Sequence, residues 1–98
     1  MKVRFLEAAE EEMLSAAERY EREVPELGEA FLVEIRRVVD LVASRPRIGA
    51  PVSKDTRGAF LRRFPYTVIY GEAGDELLIV AVAHHRRRPG YWKDRLTR

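Results

Sequence analysis

The sequence predicts an α+β fold: an N-terminal strand, then a two-helix antiparallel hairpin packed on a mostly antiparallel sheet, in the order β-α-α-β-β-β, closed by a basic C-terminal tail or short helix. Three observations predict it. The chain opens on a period-two pattern, continues with two apolar stripes at spacings of three and four, and then turns to strand-length apolar segments. At 98 residues the chain fits a single domain, residues 1–98, with one modest core.

Val3 and Phe5 alternate with Lys2 and Arg4, a short strand. Ala9, Met13, Ala16, Ala17, Tyr20 and Val24 then mark one face of a helix, with Glu7, Glu10, Glu11, Glu18 and Glu21 between them. No good capping residue precedes Glu7, so the start of this helix is loosely defined. Pro25 stops it and can serve as the first residue of the next helix. That second helix carries Leu27, Phe31, Ile35, Val38 and Val42 on its stripe, widened by Leu32 and Val39, and ends at Pro46. Residues 46–58 form an irregular stretch dense in Pro, Gly and charge. Strands are expected at Ala59–Phe64, Tyr66–Gly71 and Glu76–Ala83, with Gly71–Asp75 as a hairpin loop. Leu77–Ala83 is apolar on both faces, which predicts a central strand covered on each side. A short helix is expected at Tyr91–Leu96.

Composition narrows the chemistry. The chain has no cysteine, which excludes disulfides, thiolate metal sites and cysteine nucleophiles. The longest apolar run, Leu77–Ala83, is far too short to span a bilayer, so no membrane partner is expected and a soluble cytoplasmic protein is. The net charge of +2 conceals two unlike parts. Residues 1–34 hold four basic side chains against ten glutamates, net −6, whereas residues 35–98 hold fourteen against six acids, net +8. An anionic partner for the C-terminal part would suit that asymmetry. The acids of the first helix read as a solvated face.

Three features stand out against this background. Arg62 and Arg63 fall inside an expected strand, where adjacent residues face opposite ways. They read either as charge that protects an edge strand or as ligands for a carboxylate or phosphate. His84-His85-Arg86-Arg87-Arg88 lies where the apolar strand leaves the sheet. It is either a solvated charge run or a phosphate-binding patch with a histidine able to move protons near neutral pH. Tyr91 and Trp92 follow, to stack on exposed bases or to fold the tail back over the core. Two histidines with no third ligand at a convincing spacing do not make a metal site, and no phosphate loop or nucleophile elbow is present; no metal and no cofactor are expected. Catalysis, if any, would rest on Arg, His, Tyr, Glu or Lys, which suits metal-independent RNA cleavage through the 2′-hydroxyl.

Over nearly its whole length the chain resembles the RelE/ParE superfamily of bacterial toxins from type II toxin–antitoxin modules. The opening VRFLEAAEEEMLSAAERY, the ASRPRIGAPV that ends the second helix, RRFPYTVIYGEAGDELLIVAVAH and the closing HHRRRPGYW carry the resemblance. The FPYTVIY stretch, its acidic hairpin and the apolar strand ending in His are the most specific part. Arg45–Gly49, Arg57 and the Pro65–Tyr70 strand look more similar to the ParE branch, whose members are understood to poison DNA gyrase. The RelE branch cuts messenger RNA on the ribosome and is more basic on its sheet; this chain has only three lysines, Lys2, Lys54 and Lys93. The resemblance therefore implies growth inhibition through DNA gyrase, a role of the plasmid-stabilisation kind, and neutralisation by a cognate antitoxin in a hetero-oligomer. The target-binding residues it implies are Arg57, Arg62, Arg63, Arg86, Arg87, Arg88 and Trp92. Under the alternative, a ribosome-dependent mRNA endoribonuclease, Arg62, Arg63 and Arg86 would match phosphate-binding positions, His84 or His85 the acid/base and Tyr91 the tail tyrosine. A relative without toxicity that only binds its partner is a third reading. The sequence does not mark the antitoxin contact.

Overall fold

The computed structural model describes residues 1–96; Thr97 and Arg98, the end of the basic tail, lie outside the described residues. Strand β1 (Lys2–Phe5) leads into helix α1 (Glu7–Glu23), and helix α2 (Leu27–Ser44) returns beside it. Strands β2 (Ala50–Pro51), β3 (Arg57–Phe60), β4 (Tyr66–Ala73) and β5 (Glu76–His84) follow, and a 3₁₀ turn at Lys93–Leu96 closes the described chain. The sheet order is β1-β5-β4-β3-β2, antiparallel except for the parallel pair β1–β5. The predicted α+β architecture is therefore present, with one extra two-residue strand inside the stretch expected to be irregular.

The helix stripes bury as expected: Ala9, Ala16 and Ala17 of α1 and Phe31, Ile35, Val38, Val39 and Val42 of α2 face Val68, Tyr70, Leu77, Ile79 and Val82 of the sheet. Each large side chain buried this way stabilises the fold by roughly 1.5–3 kcal/mol. The far face of the sheet is covered only in part, where Trp92 packs on Ile69, Val80, Ala81 and Ala83. The apolar β5 is thus an interior strand with cover on both faces, as its composition implies.

Local boundaries differ from expectation in places, each with a physical cause. Val24 is not on the buried stripe; it caps α1 and is half exposed. Pro25 precedes α2 rather than opening it, because Glu26 takes a left-handed φ of 74° and the helix begins at Leu27. Glu21 of α1 accepts hydrogen bonds from the N–H groups of Glu26 (2.9 Å) and Gly28 (3.0 Å), so one helix caps the next. Gly28 is required there: a Cβ would collide with the Ala17 carbonyl oxygen.

The expected strand Ala59–Phe64 is wrong beyond Phe60. Leu61 and Phe64 both bury, three residues apart, which a strand cannot arrange on one face. The segment bends instead: Leu61 N–H donates to Tyr66 O, Arg63 sits at φ 69°, and Glu34 of α2 accepts from Arg62 N–H at 2.6 Å. Phe64 completes an aromatic cluster with Tyr20, Phe31 and Tyr66, whose ring centroids lie 5.1–6.4 Å apart. The expected loop Gly71–Asp75 is also too long, since β4 continues to Ala73 and the turn is Gly74-Asp75, with Gly74 at φ 64°. The tail helix is shorter than expected, a single 3₁₀ turn from Lys93.

Candidate functional site

The C-terminal end of β5 organises the charged chemistry. Strand β1 stops at Phe5, opposite Ile79, so among the described residues the outer edge of β5 beyond that point has no strand partner. Side chains take its place. Glu12 of α1 accepts a hydrogen bond from Val82 N–H (3.0 Å), and Arg95 of the tail donates to Val80 O (3.0 Å). Glu12 and Arg95 pair through two contacts of 2.9 and 2.8 Å, and Tyr91 OH donates to Glu12 at 2.6 Å. Burial pushes the Glu12 carboxyl up, but the hydrogen bonds from Arg95, Tyr91 and Val82 outweigh it and leave it below the ordinary carboxylate range. Burial, with the Glu12 carboxylate alongside, pushes the Tyr91 phenol up. A carboxylate counted among a solvated acidic face is thus the anchor of the basic tail.

The β4–β5 register sets which histidine faces where. Ile69 pairs with Ala81 and Tyr70 with Ile79, so Val80 is an extra residue in β5. The bulge reverses the alternation: Leu77 and Ile79 face the helices before it, Val82 after it. His84 therefore lies on the helix side, its ring edge-on to Tyr66 at 4.9 Å, with its Nδ1 accepting from Arg86 N–H at 3.0 Å. Burial, then the charges of Arg19, Arg86 and His85, hold its imidazole below the ordinary range. His85 faces the other way, against the Phe60 ring at 5.4 Å and within 3.0 Å of the Thr67 hydroxyl.

The residues singled out in the sequence do not converge on one centre. His84, Arg86, Arg87 and Tyr91 line one trough beside α1. A second depression, on the open sheet face, shares His84, Arg87 and Tyr91 with that trough and adds His85, Arg88, Phe60, Thr67 and an edge of Trp92. Arg62 and Arg63 are both exposed, so neither faces the core, and they line a third depression with Glu29 and Glu34. Arg57 donates to the carbonyls of Gly49 (2.7 Å) and Arg47 (3.3 Å) and so pins the loop before β2. Trp92 is 5% exposed and offers no free ring; it folds the tail over the core. Sequence reasoning missed Glu12, Arg19 and Arg95. Glu12 and Arg95 stand 83 positions apart, and no local pattern links them.

Among the described residues no group of three His, Asp or Glu side chains could hold a metal ion, and no helix is long and apolar enough to cross a membrane. Fold and surface define the class: a small helix-hairpin-on-sheet protein whose charged groups lie on a strand-end rim and in open troughs rather than in an enclosed cleft. The family described as the ParE toxin of the type II toxin–antitoxin system parDE matches residues 3–89. The chain belongs to that ParE toxin family. A solved chain of the chromosomal ParDE toxin–antitoxin system from P. aeruginosa is similar in fold, with a TM-score of 0.64 at 17% identity over 86% of this chain and 95% of that one. No curated protein matches the chain.

Proposed function

We propose that this ParE-family toxin inhibits growth by interfering with DNA gyrase and is neutralised by a cognate antitoxin that it binds in a hetero-oligomer. The family match over residues 3–89 is the observation that carries the reading. Its target-binding surface is the basic rim: Arg86, Arg87 and Arg88 on the exposed turn after β5, with Arg62 and Arg63 on the turn after β3. Arginine forks on exposed turns suit an anionic partner surface. Trp92 fixes the tail that follows the rim, whereas Arg57 lies at the other end of β3 and fixes the loop before β2. The antitoxin segment would cover the apolar side chains left open on the sheet face, Phe60 and Val52.

Purified protein in excess should stop gyrase supercoiling or trap cleaved DNA, and co-expressed antitoxin should relieve the arrest. Normal supercoiling at large excess of a folded, growth-arresting protein would overturn the gyrase reading. Loss of transcript integrity under those conditions would put the ribosome-dependent nuclease in its place.

A further inference from the structure

Arg19, on the face of α1 beside Tyr66 and His84, lies far along the chain from the basic cluster at 84–88, yet it meets the turn after β5 across one trough. That trough, of about 450 Å³, is walled by Arg19, Tyr66, His84, Arg86, Arg87 and Tyr91. Three guanidinium groups from two distant parts of the chain thus surround one space. None of the three forms an ion pair with a carboxylate among the described residues. Glu12, also on the wall, is engaged by Arg95, Tyr91 and Val82 N–H. The positive charge is left uncompensated; burial first, and then the charges of Arg19, Arg86 and His85, hold the His84 imidazole down.

The guanidinium groups are also held. Arg19 donates to Tyr66 OH at 2.8 Å, and Arg87 stacks over the Tyr91 ring at 3.8 Å. Tyr91 is itself fixed by Glu12, so two cations are pre-ordered before any ligand arrives. Like charges gathered and held this way repel one another unless an anion lies between them. One carboxylate would offset a single charge; a phosphate group offers more negative charge and more acceptor oxygens to arginine forks.

We propose that the trough between α1 and the turn after β5 is a binding site for a phosphate group, carried by a nucleotide or by a nucleic-acid backbone. The site shares Arg86 and Arg87 with the proposed gyrase-binding rim and adds Arg19 from α1, but none of its readouts involves supercoiling, so the two readings fail separately.

The test is an NMR titration of the histidine ring resonances at fixed ionic strength. The probes are pyrophosphate, a 5′-phosphorylated dinucleotide, the same dinucleotide without that phosphate, and acetate. Pyrophosphate and the phosphorylated dinucleotide should shift the His84 resonances saturably. Arg19→Gln and Arg86→Gln should each weaken that binding by about tenfold or more. Both residues are exposed, so the variants should stay folded, which their circular dichroism checks. Arg36→Gln, an exposed arginine on α2, should leave binding unchanged. If the unphosphorylated dinucleotide also binds at His84, a backbone diester is recognised; if only the phosphorylated one does, a terminal phosphate is. Either result supports the site. Shifts that never saturate, acetate binding as tightly as pyrophosphate, or equal weakening by Arg36→Gln and Arg19→Gln would each overturn it.

Discussion

Replacing Glu12 by Gln removes the carboxylate that joins helix α1, strand β5 and the tail. The wild-type carboxylate takes four hydrogen bonds: from Val82 N–H, from Tyr91 OH and two from Arg95. Glutamine keeps one acceptor oxygen and turns an NH₂ donor toward groups that are themselves donors. Hydrogen bonds to charged groups contribute about 1.5–3 kcal/mol, and breaking a fully buried pair costs about 3–5 kcal/mol. The side chains of Arg95 and Glu12 are 20% and 17% exposed, so water recovers part of the loss. A destabilisation of about 2–3 kcal/mol follows, or a fall in Tm of about 10–20 °C for a domain of this size. Trp92, the only tryptophan, lies in the tail between Tyr91 and Arg95 and reports the local part of the change. Its emission should shift to the red and become more accessible to acrylamide. In a double-mutant cycle with Arg95→Gln the two losses should fall short of additivity by about 1–3 kcal/mol. A loss below about 0.5 kcal/mol with unchanged Trp92 emission would refute the reasoning, since Trp92 packing alone would then be holding the tail.

Tyr70→Phe should cost about 1–3 kcal/mol in urea unfolding, because the buried hydroxyl accepts from Gly49 N–H at 2.9 Å and donates to Pro46 O at 2.7 Å. Gly28→Ala should destabilise by about 1–3 kcal/mol despite the better helix propensity of alanine, because the new Cβ meets the Ala17 carbonyl; an unchanged midpoint would show that the helices can part without cost. Hydrogen bonds from Arg37 hold the Glu34 carboxyl at about 2, against the opposing effect of burial and with help from Arg62 N–H. A depressed carboxylate stabilises the fold fully above its unfolded value near 4.5, and that contribution is lost as pH falls toward about 2. The stability gap between wild type and Glu34→Gln should therefore be widest above pH 5 and shrink steadily below it; a gap that does not narrow contradicts the assignment.

The element order was legible because each element is written in a local period. Phe31, Ile35, Val38 and Val42 repeat at helical spacing, and Tyr66–Tyr70 alternates, whatever the rest of the chain does. The errors fall where a distant group intervenes. Arg62 reads as strand until Glu34, 28 residues earlier, accepts its N–H and bends the chain. The basic cluster at 84–88 was visible, but which histidine shares a face with Tyr66 depends on the extra residue at Val80, a matter of pairing between β4 and β5.

Sequence by itself determined the strand and helix order, the helix stripes, the polarised charge and the resemblance to toxins of the ParE kind. Tertiary structure alone decided that Glu12 is an anchor rather than part of a solvated face, that Arg19 joins Arg86 and Arg87 around one trough, and that Arg62 and Arg63 lie elsewhere. The physical reason is separation along the chain. Periodicity is set by neighbours three or four residues away, whereas Glu12 meets Arg95 across 83 positions, only after the sheet edge that they seal has formed.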